Sequence, residues 1–229
     1  MNMTRRWMER LAAPSWWPIE RKAKKFVVPP RGSHAMDNSM SLTVVVRDVL
    51  GLAATAKEAR HVIKSAKVVV DGRPRKDVKF GVGPMDIIEI AGVGTWRAVP
   101  GRRISFVSTS GPDSKLKLCR ITGKRNVRGR KLQFGLHDGR SLLSEQTWAV
   151  GDSILLEVPE QKVVGHFRFE PGAMVLLTKG SRAGVVAKLD SIERQLGRAW
   201  LMLGEERFEA PIAAMFVVGK EKPAVKLVG

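Results

Sequence analysis

The chain has 229 residues, with 40 lysines and arginines against 22 acidic residues for a formal charge of +18. A single cysteine, Cys119, excludes an intrachain disulfide or a cysteine cage for zinc; the start, with Trp7, Met8 and Leu11 among charges, lacks the apolar core of a secretory signal. The excess charge is +5 over 1–40, +3 over 41–90, +6 over 91–160 and +4 over 161–229, so an extended polyanion against most of the surface would relieve its self-repulsion.

That polyanion is expected to be nucleic acid. An anionic membrane is not expected, because no apolar run approaches the roughly 18 residues of a span and no long basic amphipathic helix is present.

Residues 1–40 read as a basic N-terminal arm. Pro14, Pro18, Pro29 and Pro30 interrupt it, and Arg21, Lys22, Lys24 and Lys25 cluster within it. Without a sustained apolar period it is expected to lack a core and to order only on RNA. Trp16 and Trp17 lie among these charges. They suit either stacking on bases or pinning the arm to the protein's own core.

Residues 41–91 read as a compact α+β unit. Leu42–Leu50 predicts a first helix, Thr55–Ala66 a second, and Val68–Val70 and Asp86–Ile90 strands. In the second helix Lys57, Arg60, His61 and Lys64 recur at i, i+3, i+4 and i+7, opposite Ala56, Ala59, Val62, Ile63 and Ala66. Thr55 with Glu58 predicts a capping box, each side chain bonding the other's free N–H. A solvated helix face would carry the same stripe; in so basic a chain the stripe is a candidate phosphate contact. Arg73 and Arg75, beyond the Asp71-Gly72 turn, join it.

Residues 92–170 break into short β segments. Leu116, Leu118 and Ile121 lead into Thr122–Gly129, and Leu132, Phe134 and Leu136 alternate beyond it, which predicts a hairpin. Lys124, Arg125, Arg128, Arg130 and Lys131 are assigned to its connection, either as a solubilising tip or as a finger into an RNA groove. Residues 171–229 again read as short strands, at Met174–Leu177, Gly184–Leu189, Ala199–Leu203, Arg207–Ala210 and Met215–Val218. Gly180 and Gly184 bracket a tight turn.

No phosphate loop, HExxH, CxxC or GxSxG motif is present. His34, His61, His137 and His166 fall in different segments with no evident carboxylate cluster, and His137-Asp138 reads as part of a turn beside a strand. No catalytic residue, cofactor, metal or small-molecule substrate is expected.

Taken together, these residues resemble the archaeal and eukaryotic type of small-subunit ribosomal protein four, the four-e family. Leu11-Ala12-Ala13-Pro14 with Trp17, and Pro30, Gly32 and His34, are similar to its N-terminal signature. Arg47-Asp48-Val49-Leu50-Gly51-Leu52, Glu58-Ala59-Arg60, Val70-Asp71-Gly72 and Met85-Asp86-Ile87-Ile88-Glu89-Ile90 resemble its two-helix RNA-binding module. Lys117–Ile121 and Leu136–Arg140 resemble its central domain, and Gly180–Val186 its KOW turn in a small Src-homology-like barrel. The chain departs from the family pattern at Ala66, where relatives carry glycine, and at Lys179, where a glycine pair is usual. Met85, in place of the glycine of the general RNA module, agrees with the four-e branch. The stop soon after the barrel suggests an archaeal source.

The resemblance implies an α+β, mostly β fold: basic arm 1–40, two-helix RNA-binding module 41–91, central β domain 92–170 and KOW-type barrel with tail 171–229. It implies a structural role in the small ribosomal subunit in the cytoplasm, with small-subunit ribosomal RNA and neighbouring small-subunit ribosomal proteins as partners. The alternatives are an RNA-modifying enzyme carrying the same module and a non-ribosomal KOW factor. An enzyme would need a further catalytic domain, and only about 140 residues follow Ile90.

Overall fold

The computed structural model describes residues 8–129 and 131–227; Trp7 and Arg130 lie outside them. Strands β1 (Met8–Glu9) and β2 (Phe26–Val27) form a small antiparallel ladder. Between them the chain folds back: Met8, Ala13, Trp17 and Val27 join one core with Val44, Ala59, Ile63 and Ile88. This corrects the expectation of an arm without a core. Trp17 is only 2% exposed, and Trp16 meets it edge-on at 6.1 Å while donating its Nε1–H to the Asp37 carbonyl. Burying a side chain of that size stabilises by about 2–3 kcal/mol, enough to hold a short segment whose spacing shows no period. Trp17 therefore anchors the segment to the protein.

Strand β3 (Met40–Ser41) leads into α1 (Leu42–Val44), which continues as a π-helical turn over Val45–Val49. Helix α2 (Ala56–Lys64) follows, with Ala59 and Ile63 buried. Then come β4 (Val68–Val70), β5 (Arg73–Pro74), β6 (Gly81–Val82), β7 (Ile87–Ile90), β8 (Gly94–Val99) and β9 (Ser105–Ser108). β6 pairs with β3, and the others form a sheet in the order β5-β4-β7-β8-β9. The boundary placed at 91–92 falls inside the β7–β8 hairpin, so this sheet runs to Ser108. Alternation restarting after a glycine-rich turn looks the same whether the next strand joins the old sheet or begins a new one.

The central sheet comprises β10 (Leu116–Val127), β11 (Lys131–Leu136), β12 (Ser141–Ser144), β13 (Ser153–Glu157) and β14 (Lys162–Phe167), ordered β12-β11-β10-β13-β14. Strand β10 changes partner along its length. Leu116 to Arg120 pair with β13, and the stretch from Ile121 to Val127 pairs with β11 alone. Its far half therefore extends past β13 as a hairpin.

The last sheet holds β15 (Met174–Leu177), β16 (Val186–Glu193), β17 (Arg198–Leu203), β18 (Glu206–Pro211) and β19 (Met215–Gly219), ordered β18-β17-β16-β15-β19. Val175, Leu189, Leu201, Phe208 and Val217, from the five strands in turn, meet in one core, as in a strongly curved sheet. A further core joins the three five-stranded sheets: Met85, Val107, Leu118, Leu155, Leu176 and Phe216 pack together. Among the described residues no helix is long and apolar enough to cross a membrane.

Candidate nucleic-acid interface

Helix α2 presents its cations from a rigid mount. Thr55 caps it by accepting the Glu58 N–H at 3.2 Å; the Glu58 carboxylate reaches back to the Ala54 N–H and the Thr55 hydroxyl, both at 2.9 Å. The capping box thus closes chiefly one residue earlier than expected. The Thr55 hydroxyl, then the Ala54 N–H, hold the exposed Glu58 carboxyl below its usual range. At the other end Ala66 takes φ 59°, left-handed for a residue with a Cβ. Ala59 and Ile63 anchor the inner face, while Lys57, Arg60, His61 and Lys64 are exposed and make no ion pair or side-chain hydrogen bond among the described residues.

Arg73 is exposed on β5. Arg75, just beyond it, lies half-buried with its guanidinium 4.4 Å from the Phe80 ring centre; burial, then the charge of Arg73, lowers its pKa. In the projecting hairpin the assignment of Lys124 and Arg125 to the connection is corrected. They lie within β10, opposite Phe134 and Gln133, because the strand outlasts its apolar alternation. Lys131 begins β11, leaving Arg128 in the connection; Arg130 is outside the described residues. Lys124, Arg125, Arg128 and Lys131 are all exposed and unpaired among the described residues.

Near the N-terminus the cations divide. Lys22 and Lys24 are exposed, and Lys25 lies 5.4 Å from the Phe26 ring centre. Arg21 is already engaged: its guanidinium donates to the carbonyls of Leu11 at 3.2 Å, Ala13 at 2.9 Å and Pro14 at 2.8 Å. It braces the folded-back segment. Three arginines of the last unit differ again, with Arg182 paired to Glu206, Arg198 to Glu209 and Arg207 to Asp190. On α2 and the hairpin the cations have no carboxylate partner among the described residues, so a phosphate there would displace only water.

Behind these surfaces lies a buried ionic cluster. The Lys117 ammonium, fully buried, donates to Asp86 at 2.6 Å and to Asp71 and Asp138 at 2.8 Å each. Arg140 bonds Asp71 at 2.5 Å and reaches Asp138 at 3.3 Å, and His34 meets Asp86 at 3.0 Å. This corrects the expectation of histidines without a carboxylate cluster: three aspartates far apart in sequence converge, and His34 and His137 stand 5.7 Å apart. Burial disfavours the ammonium, but Asp71 and Asp86 outweigh it and raise Lys117 well above its usual value. Burial likewise opposes ionisation of Asp86 and Asp138; the charges of His34 and Lys117 hold Asp86 low, and those of Lys117 and His137 bring Asp138 to about 2. For Asp71, burial prevails over Lys117 and raises its pKa.

Cys119, His137 and Asp138 lie close enough to suggest a metal site, but their donor atoms are engaged. His137 Nδ1 accepts the Arg120 N–H at 3.2 Å, its Nε2 faces the Pro84 carbonyl at 3.0 Å, and Asp138 receives Lys117, Arg140 and the Cys119 thiol. Burial pushes that thiol's pKa well up, so it stays protonated. The trio does not fit a cation.

Comparison with known proteins gives the architecture a family. The chain matches the S4 domain over residues 41–88 and the Ribosomal family S4e over 98–163. It is 40% identical to small ribosomal subunit protein eS4 of Korarchaeum cryptofilum, over 97% of each chain. The chain belongs to the eS4 family. The eS4 protein of Ignicoccus hospitalis is 36% identical over 97% of this chain and 95% of its own. The crystal structure of 30S ribosomal protein S4e from Thermoplasma acidophilum superposes with a TM-score of 0.72 at 28% identity, covering 84% of this chain and all of that one. Against this eS4 background, α2 and its stripe lie inside the S4 domain, whereas Lys117 and Asp138 lie inside the S4e match. Reading the sequence missed Lys117, Asp71 and Asp86 as a cluster, since nothing local marks three carboxylates that meet only through sheet packing. The one local signal was that Asp71 and Asp138 each precede a turn glycine.

Proposed function

We propose that this chain is a structural constituent of the small ribosomal subunit that binds and positions small-subunit ribosomal RNA during assembly and translation. The observation that carries this reading is the stripe Lys57, Arg60, His61 and Lys64, unpaired among the described residues, on a capped, anchored helix within an S4 domain. Phosphate contacts supply most of the affinity, and specificity comes from RNA shape read by surfaces held in fixed relation. Arg73, Arg75 and the hairpin cations Lys124, Arg125, Arg128, Arg130 and Lys131 extend the contact. Lys22, Lys24 and Lys25 form a second-rank patch that Arg21 braces. Neighbouring ribosomal proteins are the other partners, and the place of action is the cytoplasmic ribosome.

The working units are the folded-back N-terminal segment, the RNA module with its sheet extended to Ser108, the central sheet, and a KOW-type barrel from about 171 onward. Gly180 and Gly184, at φ 95° and 91°, support the KOW assignment of the turn between β15 and β16. The role is structural rather than catalytic: among the described residues every buried carboxylate is engaged, Asp71, Asp86 and Asp138 by Lys117, Arg140 and His34, and Asp152 by His166 and the Ala149 and Phe169 N–H groups.

The test is the salt dependence of binding to small-subunit ribosomal RNA. Lys57→Ala, Arg60→Ala and Lys64→Ala together should weaken binding and flatten the log–log salt slope by about 0.7–0.9 for each phosphate no longer neutralised. An unchanged slope would make the stripe a solvated face.

A further inference from the structure

A cleft of about 640 Å³ opens where the N-terminal segment, the β8–β9 loop, the central sheet and the last sheet meet. Its walls include Trp16, Arg102, Arg120 and Lys179, and among the described residues Asp37 is the only acidic one lining it. We propose that this cleft receives a single unpaired nucleotide of RNA, its base against Trp16 and its phosphate held by Arg102 and Lys179. The proposal deepens the RNA-binding reading and rests on it.

Charge complementarity selects the occupant. Arg120 is largely buried, yet its guanidinium has only neutral partners, donating to the Ala213 carbonyl at 3.0 Å and the Ile212 carbonyl at 3.3 Å. Burial lowers its pKa, as for a cation placed without a counter-ion. Arg102 and Lys179 are exposed at the rim and have no ion pair among the described residues. An anion entering the cleft thus meets three cations that form no ion pair among the described residues.

Shape agrees. The volume falls in the roughly 300–1,000 Å³ range of clefts that enclose ligands of a few hundred daltons, a nucleotide's size. The wall is built rather than incidental: the Trp16 carbonyl accepts the Ile104 N–H at 3.2 Å, fixing the tryptophan beside the β8–β9 loop. Across the cleft, a Cβ on Gly184 would stand 3.1 Å from the Gly101 Cα, so two backbones touch where the last sheet meets that loop. An aromatic wall with uncompensated cations at the rim is the combination that retains single-stranded nucleic acid without sequence preference.

The full chain is titrated with a short oligoadenylate that stays single-stranded and, separately, with an RNA duplex. Oligoadenylate is expected to bind, to photocrosslink at Trp16, and to lose at least about fivefold in affinity with Trp16→Leu. Arg102→Glu with Lys179→Glu should produce a loss at least as large. These two side chains are exposed and unpaired among the described residues, so charge reversal leaves the fold intact, which far-ultraviolet circular dichroism verifies. Duplex binding with no oligoadenylate crosslink at Trp16, or with unchanged oligoadenylate affinity in the double variant, overturns the cleft and leaves the RNA-binding reading standing. A chain that binds neither RNA overturns both.

Discussion

Lys117 and Asp86 meet at 2.6 Å in the interior, joining the start of β10 to the turn before β7. Asp71 and Asp138 complete the shell around the ammonium, so one lysine ties the S4 domain to the central sheet. The two basic surfaces stand at opposite ends of this link. Helix α2 precedes the β4 turn that carries Asp71, and the hairpin is the far end of the strand that carries Lys117. A protein that reads RNA by shape needs such surfaces held at a fixed relation, and the cluster supplies that constraint.

Removing the ammonium leaves its carboxylates buried without their main counter-charge. Lys117→Met is expected to destabilise by about 3–5 kcal/mol, read as a lower urea midpoint. The deficit should shrink in acid, where neutral carboxyls no longer require the cation. A midpoint within experimental error of the parent would refute the view of the cluster as a structural tie.

Stability should also fall on mild acidification. Burial, then the nearby Lys117 charge, depresses His137 from 6.5 to about 4, and protonating its Nδ1 would break the bond from the Arg120 N–H. Between those pH values the unfolded chain binds more protons, so the contribution is complete above pH 6.5 and declines as pH drops toward 4, by roughly 3 kcal/mol at most. Asp138 adds a second contribution, present in full above pH 3.8 and lost as pH falls through about 2. Asp71, raised by burial, acts in the opposite sense. Urea midpoints from pH 8 to 4 should fall less steeply for His137→Gln than for the parent; parallel curves would contradict the assignment.

Ala66 ends α2 at φ 59°, where a Cβ is strained and glycine is not. Ala66→Gly is expected to stabilise the protein by about 1 kcal/mol, since the left-handed penalty disappears. Thermal unfolding at several scan rates checks this, and a lower melting temperature would show that the side chain's packing outweighs the strain.

Gly139 lies beside the cluster at φ 76°, and a Cβ there would stand 2.5 Å from the Ser33 carbonyl oxygen. Backbone cannot yield as a flexible side chain would. Gly139→Ala should therefore cost about 2–4 kcal/mol from strain and crowding together, measured by urea unfolding. Protease cleavage near Ser33 should rise in parallel as the N-terminal segment loosens.

Much of this protein follows from local chemistry in its sequence. Thr55 and Glu58 define the start of α2, the i, i+3, i+4, i+7 recurrence makes its outer face basic, and alternation at Leu132, Phe134 and Leu136 identifies a strand. Such signals are legible because capping and amphipathic periodicity act within a few residues. Where the order of elements is local it is legible too, and the strands of the last sheet fall close to their expected positions. Tertiary structure decided the rest. Trp17 became an anchor because a distant core accepted it, and β10 carried Lys124 and Arg125 past β13 because β11 continued to pair with it. Asp71, Asp86 and Asp138 became one site only because three turns pack against Lys117. A charge shows in the sequence, but its partner does not: solvation and Coulomb energy depend on distances that only the packed chain sets.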